Sequence, residues 1–68
     1  MNNEEKLDKV YEALGNKLRL CEAKKQQIID AIKRNEDATQ LFNEYDTISE
    51  EIHMLKLLET EINRKLHP

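Results

Sequence analysis

At 68 residues the chain is about half an ordinary domain, and one Gly, one Pro, one Val and 4% aromatics leave too few turn and strand formers for a β fold. A lone Cys rules out a disulfide scaffold, and a net charge of −3 argues against nucleic acid as a ligand, whose binding rests on neutralised phosphates. No apolar run nears the roughly 20 residues of a membrane span and the polar start Met1-Asn2-Asn3-Glu4-Glu5 does not read as a signal peptide, so a small, all-α, cytoplasmic protein is expected.

The first element opens at Asn2, which has capping-box spacing to Glu5. From there Leu7, Tyr11, Leu14, Leu18, Cys21, Lys25, Ile28 and Ile32 recur at alternating intervals of four and three. That alternation lays them along one stripe of an α-helix, as in a coiled-coil seam, and predicts a helix over residues 3–34. Cys21 falls on the stripe as a small hydrophobe, and an unpaired thiol fits a reducing compartment. Lys25 interrupts the stripe, its stem expected along the seam and its ammonium in water. Gly15 costs about 1 kcal/mol inside a helix and resembles a C-cap, so a break is expected there, with residues 2–14 separate or fraying. Basic groups concentrate in this half: residues 1–36 carry 8 basic and 7 acidic groups, residues 37–68 carry 3 and 7. A solvated face opposite an acidic second half accounts for that split.

Residues 35–37 read as the turn. Asn35 tolerates the left-handed conformation that ends helices, and Asp37 followed by Gln40 reads as a capping box. The second element, expected over residues 38–66, repeats the four-three alternation with Leu41, Tyr45, Ile48, Ile52, Leu55, Glu59, Ile62 and Leu66. Glu59 interrupts it as Lys25 does the first, and His67-Pro68 ends it. So short a turn makes the helices antiparallel. The two seams then pair in step, from Ile32 with Leu41 at the turn to Leu7 with Leu66 at the open end. The same register sets Lys24 near Glu51 on one flank and Ile29 near Phe42 on the other. The expected fold is all-α: a single-domain antiparallel two-helix hairpin of coiled-coil type.

Such a hairpin buries one seam, so a third surface is expected to complete it. Val10, Ala13, Leu20 and Ala31 lie off the seam of the first helix. Met54, Leu57 and Leu58 lie off that of the second and widen its apolar arc beside Leu55. Reactive chemistry is not expected. One Gly cannot build a phosphate loop, and Ser49 and Cys21 are the only serine and cysteine. Cys21, His53 and His67 do not converge as zinc ligands. Glu50 and His53 have the Glu-x-x-His spacing of di-iron bundles but point outward, with only Glu59 as an inward carboxylate. No catalytic residue, metal or cofactor is therefore assigned.

The hairpin, its turn Arg34-Asn35-Glu36-Asp37-Ala38-Thr39-Gln40 and the hydrophobic end Ile52-His53-Met54-Leu55-Lys56-Leu57-Leu58 resemble one family over residues 17–66. This is the family of small chaperones of the type III secretion needle, of the YscE, PscE, EscE and SsaE kind. The resemblance implies a bacterial, cytoplasmic co-chaperone linked to virulence. Its partners would be a larger tetratricopeptide-like helical chaperone and the needle subunit, which the complex keeps monomeric before export. It implies no enzymatic activity. A docking face for that partner is placed on Leu14, Leu18, Leu20 and Cys21 with Leu55, Leu57, Leu58 and Ile62. Two other readings stand beside it. One is a self-associating structural module, a homodimeric four-helix bundle; the other is a small phage- or plasmid-borne regulator that masks another protein's helix.

Overall fold

Two α-helices make up the computed structural model, which describes residues 1–68: α1 (Asn3–Lys33) and α2 (Thr39–Leu66). They lie antiparallel in a rod of 51 × 16 × 14 Å, whose long dimension is close to the ~46 Å expected of a 31-residue helix. The architecture is thus the all-α hairpin that the alternating spacings predict.

Each helix end follows from its local chemistry. The Asn2 side-chain oxygen accepts the Glu5 backbone N–H at 2.8 Å, and Glu4 and Glu5 set negative charge against the positive end of the helix dipole. At the other end Asn35 adopts φ 56°, the left-handed conformation. The Glu36 N–H then reaches the Ala31 carbonyl at 2.9 Å and the Asn35 N–H reaches that of Ile32 at 3.1 Å, the paired bonds of a Schellman stop. Asp37 does hold the start of α2, but through a different partner from the one expected. Its carboxylate accepts the Thr39 backbone N–H at 3.0 Å and the Thr39 hydroxyl at 2.6 Å, and not Gln40. The bond two residues ahead closes a local turn just outside α2, whose N-cap position is Ala38, a residue with no side-chain acceptor, so the expected capping box does not form.

The expected break at Gly15 is absent: α1 runs through it without interruption. Its propensity cost is local, whereas the surrounding residues keep bonding into helix and pack against α2 on either side. A Cβ added at Gly15 would meet only the Arg19 guanidinium, at 3.7 Å. Nothing within the hairpin requires glycine there.

The seam of α2 is the expected one: Ile48 and Ile52 are buried, and Leu41, Tyr45, Leu55, Glu59, Ile62 and Leu66 are partly covered. On α1 the seam is turned by half a stripe. Leu7, Leu14, Cys21 and Ile28 face inward as expected, but the positions between them are Val10, Lys17, Lys24 and Ala31. Tyr11, Leu18, Lys25 and Ile32 are exposed instead. Two physical reasons favour this face. Val10 and Ala31 are small and let the helix axes approach. Lys17 and Lys24, meanwhile, lay their stems along the seam and meet acids of α2. Lys17 Nζ lies 2.6 Å from Glu51, and Lys24 pairs with Glu44. Seven residues forward on α1 are answered by seven back on α2, so the two pairs state one antiparallel register. Lys24 therefore meets Glu44 rather than the expected Glu51.

The interior is thin. Val10, Leu14, Ile48 and Ile52 form the main cluster, with Cys21, Leu55 and Ile62 packed against it, and Ile28 and Ala31 are buried nearer the turn. No side chain is fully enclosed.

Candidate docking faces

With one side of each helix turned to the other, the remaining apolar groups fall on two flanks of the rod. The first flank is the one crossed by the Lys17–Glu51 and Lys24–Glu44 pairs. There Ala13, Met54, Leu55 and Leu58 line an open groove of about 450 Å³ together with the paired Lys17 and Glu51. Leu20, one heptad on from Ala13, continues that edge of α1 and is 49% exposed. Leu57 points further out, on the back of α2, and is exposed to a similar degree.

The second flank carries Tyr11, Leu18, Ile29 and Ile32 of α1 and Phe42 of α2, all between 42% and 58% exposed. Lys25 sits among them. It donates to the Glu22 carboxylate at 3.0 Å, and that bond, reinforced by the charge, holds its ammonium above the ordinary lysine range.

The eight residues assigned to a docking face therefore divide. Leu18, Leu20, Leu57 and Leu58 are exposed. Leu14 is buried in the cluster between the helices, and Cys21, Leu55 and Ile62 pack against it. The exposed four also lie on different sides: Leu20 and Leu58 on the ion-paired flank, Leu57 on the outer back of α2, Leu18 on the opposite flank. Tyr11 and Ile32, expected in the seam, are exposed, and Phe42 and Ile29 join them. The available signal was the second, overlapping stripe through Val10 and Ala31, which fits a close helix contact better than the bulkier one.

Charge on the ion-paired flank is fixed by contact. The hydrogen bond from Lys24 holds the Glu44 carboxyl below its usual range, with the lysine charge adding to it. Asp37 is likewise lowered, by the Thr39 hydroxyl first and the Thr39 N–H second. These are structural roles. No three His, Cys, Asp or Glu side chains gather as metal ligands, and His53 opens to solvent beside Ser49, Glu50 and Met54. Neither helix is long and apolar enough to cross a membrane. Comparison with family models, characterised proteins and solved structures returns no match.

Proposed function

We propose that the chain is a docking module that completes the helical core of a larger protein, acting as a cytoplasmic co-chaperone in a type III secretion system. It would bind a tetratricopeptide-like chaperone and help keep the needle subunit soluble and monomeric before export. The observation that carries the docking part is the pairing of a hairpin with no enclosed side chain with a groove edged by exposed Met54 and Leu58. Helices that expose this much apolar surface gain stability from any partner that covers it, and mass action stabilises both chains. The secretion part rests on the resemblance of the turn and of the Ile52–Leu58 segment.

Within this reading Leu20, Leu57 and Leu58 touch the partner and Leu18, on the opposite flank, does not, while Leu14, Cys21, Leu55 and Ile62 hold the two helices in place beneath them. The test is co-expression with a candidate needle subunit and tetratricopeptide-like chaperone, followed by the mass of the purified species. A three-chain complex supports the reading; the chain recovered only with itself across such pairings sinks it. The double change Leu57→Asp with Leu58→Asp is expected to abolish the complex and leave the helical circular dichroism signal unchanged. An intact complex in that variant would move the docking face elsewhere.

A further inference from the structure

We propose that the flank carrying Tyr11, Leu18, Lys25 and Ile32 binds a second copy of this chain, the two α1 helices running antiparallel about a two-fold axis level with Cys21 and Glu22. This surface is separate from the groove assigned above and does not depend on the co-chaperone reading. Successive residues of a helix turn by about 100°, so the Tyr11–Ile32 stripe with its neighbours Gly15 and Ile29 looks roughly a right angle away from α2. A helix in a square four-helix bundle meets its two neighbours at that angle. The two-fold axis would also bring the two α2 helices together on one side, with Phe42 at the corner.

The stripe is complementary to itself in this orientation, as a two-fold interface requires. Tyr11 of one copy falls opposite Ile32 of the other, and Leu18 lies against the Lys25 stem. Gly15 falls opposite Ile29. The hairpin gives no reason for a glycine here, since an added Cβ would meet only the Arg19 side chain at ordinary contact distance. Opposite an isoleucine, the missing Cβ becomes a socket. Charges agree along most of the contact. Glu12 lies opposite Lys33 on the outer edge, twice by symmetry. At the axis Glu22 and Lys25, 3.0 Å apart within one copy, meet the same two groups of the other and form a neutral four-charge cluster. At the ends Asp8 lies opposite Glu36, which already has Arg34 at 4.0 Å.

The surface is also large enough. Tyr11, Leu18, Ile29, Ile32 and Phe42 are each about half exposed. At roughly 180 Å² per large side chain these five alone bury about 450 Å² per copy, over half the ~800 Å² per partner of a standard interface. A foreign helix would have no need of Tyr11 matched to Ile32, Gly15 to Ile29 and Glu12 to Lys33 about midpoints that agree to within one residue; a second copy does.

Sedimentation equilibrium on the whole chain, from about 10 to about 500 µM, is expected to show a mass rising from 8.1 kDa toward twice that value. Leu18→Glu is expected to weaken the dimer by at least about tenfold. Gly15→Leu is expected to do the same while increasing helicity in dilute solution, a combination that a purely structural role for Gly15 does not produce. Orientation is read by oxidation of a Cys21→Ser chain carrying Tyr11→Cys and Ile32→Cys. Positions 11 and 32 lie about 32 Å apart along one helix, so a disulfide joining them arises only between copies. A bond from 11 to 32 supports the antiparallel pairing, and bonds from 11 to 11 overturn it. The proposal is equally overturned by a monomer throughout the range, by a dimer indifferent to both Leu18→Glu and Gly15→Leu, or by a heterologous helix occupying the stripe. A dimer lost in the Leu57→Asp, Leu58→Asp variant but kept in Leu18→Glu would place the contact on α2 and overturn it as well.

Discussion

Gly15, Asn35 and Asp37 show how much a single residue decides in a fold with so little interior. Gly15 occupies ordinary helical backbone, where an added Cβ would meet only the Arg19 guanidinium at ordinary contact distance. In the dilute hairpin Gly15→Ala is expected to add about 1 kcal/mol of stability and raise Tm by several degrees. Thermal unfolding followed by circular dichroism checks this, and a loss of stability would mean that the helix is constrained there by something other than propensity. Asn35 is the reverse case, a residue already suited to the left-handed stop. Titration follows from three side chains. Asp37 and Glu44 have lowered folded-state values, so their contribution is complete above the ordinary carboxyl range and is lost as pH falls through the folded values. Lys25 has a raised one, so its contribution is complete below the ordinary lysine range and is lost as pH rises past the folded value. Tm is therefore expected to be level between about pH 5 and pH 9.5 and to fall on either side. Asp37→Asn should flatten part of the acid limb, and an unchanged limb would show that the Thr39 bonds contribute nothing.

Between helices, the register is tested by the ion pairs and the seam by two leucines. Exposed or half-exposed pairs contribute little singly, so a double-mutant cycle is the suitable instrument. Lys17 and Glu51 are expected to couple by about 0.5 kcal/mol, and Lys24 and Glu51 by nothing measurable. Coupling in the second pair instead would shift the register by one heptad. Leu14 and Leu18 stand one turn apart on α1, yet Leu14 is 7% exposed and Leu18 48%. Leu14→Ala is expected to cost about 2 kcal/mol or more in the dilute hairpin, and Leu18→Ala less than about 0.5. Equal costs would mean that α1 turns a different face to α2. The helices themselves were legible because three-four spacing has no other simple solution, and Asn2 and Asn35 marked two of their ends. The face of α1 was not. Residue hydrophobicity favours Tyr11, Leu18 and Ile32 over Val10 and Ala31, whereas packing rewards the smaller residues and the lysines that find acids across the gap. The surplus of Leu57 and Leu58 was likewise visible in sequence, but Leu14 and Cys21, assigned to a docking face, lie inside because they belong to both overlapping stripes.

Taken whole, the hairpin is a rod whose interior is one layer of side chains, none of them fully enclosed. If the flanks dock as proposed, stability depends on what lies against them, and so on concentration. Tm of the purified chain is expected to rise by several degrees between about 10 and about 500 µM. A constant Tm would show that two helices suffice and that both exposed flanks are idle under those conditions.

The Asn35 turn has a consequence beyond stopping α1. The lysines at 17 and 24 and the glutamates at 44 and 51 repeat with the same seven-residue step, so sliding one helix past the other by a heptad still leaves one lysine facing one glutamate. The apolar a-type positions Leu7, Leu14, Cys21 and Ile28 repeat with that step too. Side chains alone therefore mark the phase of the two helices only weakly, like two rulers printed with identical divisions. The covalent link through Asn35 and Asp37 supplies the missing origin. Prepared as separate peptides, the two helices would share several alignments; joined, they have one zero point, and the turn is where it is written.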